Sequence, residues 1–108
     1  MLSVVVPVRG RPELLVEQLE ALAAQSAREP WEAVVADDSD PGDDEVAQVV
    51  ARFEGRVPGL RRVPAGGKGA GHARNVGAAA AAGDKLAFLD ADDVAAPGWV
   101  DAMAAALD

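Results

Sequence analysis

The chain contains no cysteine and no tyrosine, and a single histidine, His72. Without cysteine there is no disulfide framework, no thiolate metal site and no thiol nucleophile. Aromatic residues are almost as scarce: Trp31, Trp99, Phe53 and Phe88 are the whole set, so a core must be built from Ala, Val and Leu. Positive charge is also in short supply. Ten Lys and Arg face 18 Asp and Glu, giving a net charge of −8, which argues against nucleic acid and anionic membrane surfaces as partners. No apolar run approaches the ~18 residues of a membrane span. The first residues enter a strand at once and lack the basic start and longer apolar stretch of a signal peptide, so a cytoplasmic domain is the expectation. With 108 residues the chain suits one domain, small for a complete two-substrate enzyme.

What is present alternates between strand and helix patterns. Ser3-Val4-Val5-Val6-Pro7-Val8 is β-branched and almost wholly apolar, as suits a central parallel strand covered on both faces. Pro12 takes a first helical position, and Leu15, Leu19 and Leu22, flanked by Leu14 and Gln18, form an apolar stripe through about Gln25. Trp31 to Ala36 reads as a second strand ending at Asp37-Asp38. Asp40-Pro41 is expected to open a second helix, with Asp40 as N-cap, Asp43, Asp44 and Glu45 in the first turn, and Val46, Val49, Val50 and Phe53 buried. A partly exposed strand near Leu60–Val63 follows, then a helix from about His72 to Ala82. A buried strand over Leu86–Leu89 and a last helix from Pro97 complete the order. This βαβαβαβα order predicts an α/β fold, a mainly parallel four-stranded sheet with helices on both faces.

Three stretches carry chemistry. In Asp90-Ala91-Asp92-Asp93 an apolar run stops at three carboxylates within four positions. Carboxylates so close repel one another unless a cation or hydrogen-bond donors compensate, and Mg²⁺ or Mn²⁺ are the natural compensators because they favour oxygen ligands and often bridge carboxylates to phosphates. A solvated acidic turn is the competing reading. Asp37-Asp38 stands at a second strand end, and carboxyl ends of strands are where open α/β sheets bind ligands. The loop Pro64 to Gly71 is rich in glycine, but it fits neither a P-loop, since Gly69 rather than Ser or Thr follows Lys68, nor a dinucleotide fingerprint, since it does not follow the first strand. It reads as a flexible, cation-bearing loop entering a helix N-terminus.

Four segments together resemble family 2 glycosyltransferases of the GT-A fold. Ser3 to Val8 with Arg11-Pro12-Glu13-Leu14-Leu15 is similar to the family's opening strand and helix, and Val34-Val35-Ala36-Asp37-Asp38-Ser39 to its second-strand motif. Gly71-His72-Ala73-Arg74-Asn75-Val76-Gly77 resembles its Ala-Arg-Asn-x-Gly helix, and Gly83-Asp84 through Leu89-Asp90-Ala91-Asp92-Asp93 its DXD segment. The matches fall in the family's order and cover nearly the whole chain. The resemblance implies that residues 1–108 form a nucleotide-diphospho-sugar-binding domain, truncated relative to the full family. It implies a UDP- or GDP-sugar as ligand, with Pro7 and Val8 under the base and Asp38 accepting a hydrogen bond from it. Asp37 would turn or support the strand end, and Arg74 would lie near the base or diphosphate. Asp92 would bind a divalent cation, Mg²⁺ or Mn²⁺, and Asp90 the ribose or a metal-bound water.

The chain departs from the family pattern in three places. Arg9-Gly10 stand where the family usually has an aromatic residue and Asn, and Ser39-Asp40 stand where a Gly commonly follows the paired aspartates. After Asp93 only Asp101 and Asp108 are acidic, neither placed to act as the base of an inverting transfer. Two functions follow as expectations: the donor-binding half of an inverting glycosyltransferase, or a catalytically inactive truncated module that acts by nucleotide binding or self-association. An uncovered edge strand predicts a homo-oligomer. A receiver-like phosphoacceptor domain is a weaker reading, because its acidic pair belongs after the first strand, where Arg9-Gly10-Arg11 stand.

Overall fold

Parallel pairing follows from the apolar strands. In a computed structural model that describes all 108 residues, β1 (Leu2–Val8) is the hub, with β2 (Trp31–Asp37) on one side and β4 (Lys85–Phe88) on the other. β3 (Arg61–Pro64) pairs with β2, giving the order β3-β2-β1-β4 with all strands parallel. All four carboxyl ends therefore emerge along one edge. Hydrogen bonds extend the ladder beyond the strands there: Asp38 N–H donates to the Val8 carbonyl at 2.8 Å and Leu89 N–H to the Val5 carbonyl at 3.0 Å.

Side chains alternate between the two sheet faces. Leu2, Val4, Val6, Trp31, Ala33 and Val35 face the main core. That core is closed by Leu15, Leu19 and Leu22 of α1 (Pro12–Ala23), by Val46, Val49, Val50 and Phe53 of α2 (Glu45–Phe53), and by Val100 of α4 (Trp99–Ala106). The opposite face is covered by α3 (Ala70–Ala80), whose Ala73 packs with Ala36 and Ala65. Gly77 lets this helix lie directly on the sheet: a Cβ there would overlap Val5 Cγ1 and stand 3.3 Å from Ala36 Cβ. The small residues of this segment thus serve close helix–sheet packing.

At the amino-terminal end of the sheet a buried polar cluster fastens α3 and the turn into β4. Glu32 accepts hydrogen bonds from Ser3 Oγ at 2.6 Å, Arg61 Nη1 at 2.5 Å and Ala82 N–H at 2.7 Å, while Arg61 also donates to the Ala80 carbonyl. Burial alone works against ionisation of Glu32, but the hydrogen bonds from Arg61, Ser3 and Ala82, with the Arg61 charge, outweigh it and hold its pKa at about 2.

Several expected boundaries are corrected. Asp40 does not cap the second helix: α2 begins at Glu45, after a turn through Gly42 at φ +92°, and Asp40 is taken by Arg9 instead. Asp43 and Asp44 precede the helix rather than filling its first turn, and Asp43 accepts the Glu45 N–H at 3.1 Å. The last helix begins at Trp99 rather than Pro97, behind Gly98 at φ +80°, and Gln25 Oε1 accepts the Val100 N–H of its first turn at 3.1 Å. The segment Leu86–Leu89 is not a buried strand. β4 spans Lys85–Phe88 at the sheet edge, and α3 does not reach over it, so Leu86 and Phe88 are 37% and 44% exposed while Ala87 on the other face is buried.

Candidate functional site

The strand order reverses direction at β1, since β2 and β4 flank it, and the crevice outside such a switch point is the usual ligand site of an open α/β sheet. A cavity of about 340 Å³ opens there, lined by Pro7, Val8, Arg9, Asp38, Gly67, Gly69, Ala70, Ala73 and Asp90. A second, of about 180 Å³, adjoins it through the shared Pro7, Val8, Arg9 and Asp90, and adds Arg11, Leu14, Ala91 and Asp92. Sequence-named residues from strand ends far apart in the chain thus meet at one mouth. The adjoining cavity borders Arg11, the one non-glycine residue at positive φ (+50°), a conformation that costs about 1 kcal/mol or more.

The two aspartates after β2 part company. Asp37 turns inward, accepting Ser39 N–H at 2.9 Å and Arg62 Nε at 2.7 Å, and lines neither cavity. Asp38 is 2% exposed, yet it lines the larger cavity. Its Oδ1 accepts Lys68 N–H at 2.8 Å and its Oδ2 accepts Gly69 N–H at 3.0 Å. Asp38 therefore fastens the loop ahead of α3 from about thirty residues upstream. The glycine loop, expected to be flexible, is pinned by these bonds because its free N–H groups find an anion within the chain. An ionised carboxylate offers about four acceptor sites, so Asp38 retains capacity for a ligand donor.

Asp90 and Asp92 follow β4 on the opposite wall. Asp90, Asp92 and Asp93 bring carboxylate oxygens within 4.8 Å of one another, all exposed. Three oxygen donors at that spacing suit a hard cation. Arg74 on α3 lines neither cavity but reaches Asp90 Oδ1 at 3.3 Å, which tempers the negative charge there. The acidic turn is held from beneath by Gln18 of α1. This fully buried amide donates from Nε2 to the Asp90 carbonyl at 2.9 Å and accepts Ala95 N–H on Oε1 at 3.2 Å.

Sequence reasoning missed two of these residues. Gln18 had a signal, a polar side chain within an apolar helical stripe. Arg9 did not, because its role depends on loops distant in sequence. Its Nη1 donates to the Asp38 carbonyl at 3.0 Å and its Nη2 to Asp40 Oδ1 at 3.0 Å. His72, Lys68, Trp31 and Trp99 line neither cavity.

Comparison with known proteins agrees with this geometry. The family described as Glycosyl transferase family 2 matches residues 3–108. Validoxylamine A glucosyltransferase of Streptomyces hygroscopicus subsp. jinggangensis is 38% identical over 109 aligned positions, covering 98% of this chain and 25% of that protein. Its counterpart from S. hygroscopicus subsp. limoneus is equally similar, with 23% of its length covered. Among solved structures, S. aureus TarS superimposes with a TM-score of 0.81 at 30% identity, over 95% of this chain and 19% of TarS. TarS 1-349 in complex with UDP-GlcNAc gives the same TM-score at 29% identity, over 96% of this chain and 30% of that one. The chain thus spans about a quarter of the length of the curated glucosyltransferases it matches. Fold, motif order and sequence agree: this chain belongs to glycosyl transferase family 2.

Proposed function

We propose that this domain binds the nucleoside-diphosphate sugar of an inverting glycosyl transfer. The observation that carries the reading is the meeting of Asp38 and Asp90 on the walls of one cavity at the β1 switch point, with Asp92 in the adjoining one. The base fits between the Pro7–Val8 floor and the small residues Gly67, Gly69, Ala70 and Ala73, where Asp38 accepts a donor from it. The diphosphate points toward Asp90 and Asp92, with Arg74 near it. Asp90 serves the ribose or a metal-bound water. Asp92 and Asp90, with Asp93 beside them, would hold Mg²⁺ or Mn²⁺, which as a Lewis acid stabilises the charge of the departing diphosphate. The solved complexes of the TarS relative with UDP-GlcNAc and with UDP support a UDP-sugar as ligand class.

An inverting transfer also needs a base to deprotonate the acceptor. Asp101 and Asp108 do not serve: Asp101 accepts the Arg28 N–H at 2.9 Å and Asp108 pairs with Lys85, both away from the two cavities. No residue of this chain is assigned as that base, and full transfer is proposed to need a further region or a second chain. An inert module is the less favoured reading, because the cavity stands open and the matched curated relatives of known activity are transferases. Self-association is proposed alongside donor binding. The β3 edge carries Arg61, Arg62 and Pro64, which discourage pairing, whereas the β4 edge presents Leu86 and Phe88.

Calorimetric titration of the full chain with UDP- and GDP-sugars, with and without Mn²⁺, tests the donor site. Binding that needs Mn²⁺ and disappears in Asp92→Ala supports it; absence of binding under every condition defeats it.

A further inference from the structure

A cavity that takes a nucleobase ordinarily offers it a flat surface, because every base has a π-face and stacking is the least selective source of affinity. None of the chain's aromatic rings lines either cavity. Trp31 is buried in the core at the start of β2, Phe53 is buried on α2 with Arg56 over its ring, Phe88 lies on the outer edge strand, and Trp99 packs against the core from α4. Two lining residues carry a planar guanidinium: Arg11 borders only the smaller cavity, whereas Arg9 borders both and is the one in the larger cavity assigned to the base.

Two nitrogens of that guanidinium are held by the chain. Nη1 donates to the Asp38 carbonyl at 3.0 Å, Nη2 donates to Asp40 Oδ1 at 3.0 Å, and Nη1 stands 3.6 Å from Asp38 Oδ2. The glycine loop backs it, since a Cβ on Gly67 would lie 3.4 Å from Nη1. Both outer nitrogens are thus engaged and the charge is matched by two carboxylates. With two of its five donors spent and its charge matched by two carboxylates, the guanidinium can still offer a ligand its flat face, and guanidinium planes stack on nucleobases.

We infer that Arg9 is the base-stacking wall of the nucleotide site, doing with a guanidinium plane what an aromatic ring would otherwise do. This rests on the nucleotide-binding reading above. Because stacking is tolerant of base identity, Arg9 supplies affinity for the nucleoside end and leaves the choice among bases to Asp38 and the cavity shape.

The test is titration of the full chain with UDP and UMP in the presence of Mg²⁺, followed by NMR, for native protein and the variants Arg9→Ala, Arg9→Lys and Arg9→Tyr. Stacking predicts that Arg9→Ala weakens both ligands by the same factor, about tenfold or more. Arg9→Tyr, which keeps a plane without the charge, restores most of that affinity, and Arg9→Lys, which keeps the charge without the plane, does not. A loss confined to UDP and rescued by Lys would assign Arg9 to the phosphates and overturn the inference. Loss in all three variants with faster exchange of the Lys68 and Gly69 amides would make Arg9 a latch for the loops, which also overturns it. If native protein binds neither ligand, the donor-site reading itself has failed; if it binds and Arg9→Ala binds equally, only the role of Arg9 has.

Discussion

Replacing Gln18 by leucine separates the acidic turn from the helix beneath it. In the native fold the buried Gln18 amide satisfies the Asp90 carbonyl and the Ala95 N–H at once. Leucine fills similar space but offers no polar atom, so the buried Ala95 N–H is left without an acceptor, at about 1–3 kcal/mol. The Asp90 carbonyl is only part-buried and can turn to water, so its loss is smaller, roughly 0.5–1 kcal/mol. Added leucine burial offsets a fraction of this, leaving a destabilisation of about 2 kcal/mol, or a fall in Tm of roughly 8–10 °C for a domain of this size. The turn keeps one backbone tie, Asp93 N–H to the Asp90 carbonyl at 3.0 Å. Its carboxylates then sample wider separations, and Mn²⁺ affinity falls more than global stability requires. Urea denaturation gives the first quantity and hydrogen exchange at Ala95 the local one. Unchanged stability together with unchanged Ala95 protection in Gln18→Leu would show that the amide does not tie the acidic turn to α1.

Acid destabilises this fold through Glu32. Its folded pKa of about 2 lies below its ordinary value of 4.5, so the stabilisation is complete above about pH 4.5 and is lost as pH falls toward 2, about 3 kcal/mol in all. Urea midpoints at pH 6, 4 and 3 check this: Glu32→Gln flattens the fall, whereas parallel curves for native and variant would contradict it. At the sheet edge, sedimentation of native protein at high concentration shows association that Phe88→Glu abolishes. A native chain that sediments as a monomer throughout removes the case for a homo-oligomer.

The sheet was readable because its central strands β1 and β2 are rich in Val and Ala, and because the buried faces of α1 and α2 repeat at helical spacing. Burial of β4 was misread for a physical reason: an apolar run reports hydrophobicity, but nothing in Leu86-Ala87-Phe88 says that neighbouring strands stop there. Helix starts failed where glycine intervened, at Gly42 before α2 and Gly98 before α4. In the site, the strand-end aspartates could be named from local pattern alone. The division of labour between Asp37 and Asp38 could not, since it depends on Arg62 and on the Lys68 and Gly69 amides. Arg9 was legible only as a departure, and its geometry needs three loops brought together.

Carboxylates at the ends of β2 and β4 are proposed to share one nucleotide–metal complex. Paramagnetic broadening in an amide NMR spectrum, with Mn²⁺ added in the presence and absence of UDP, measures this directly. Mn²⁺ with UDP is expected to bleach Asp90, Asp92 and Asp93 first and to shift Asp38, Lys68 and Gly69, with little effect on the equally acidic Asp43–Glu45 segment. Broadening spread evenly over all acidic surfaces, unchanged by UDP, would contradict it.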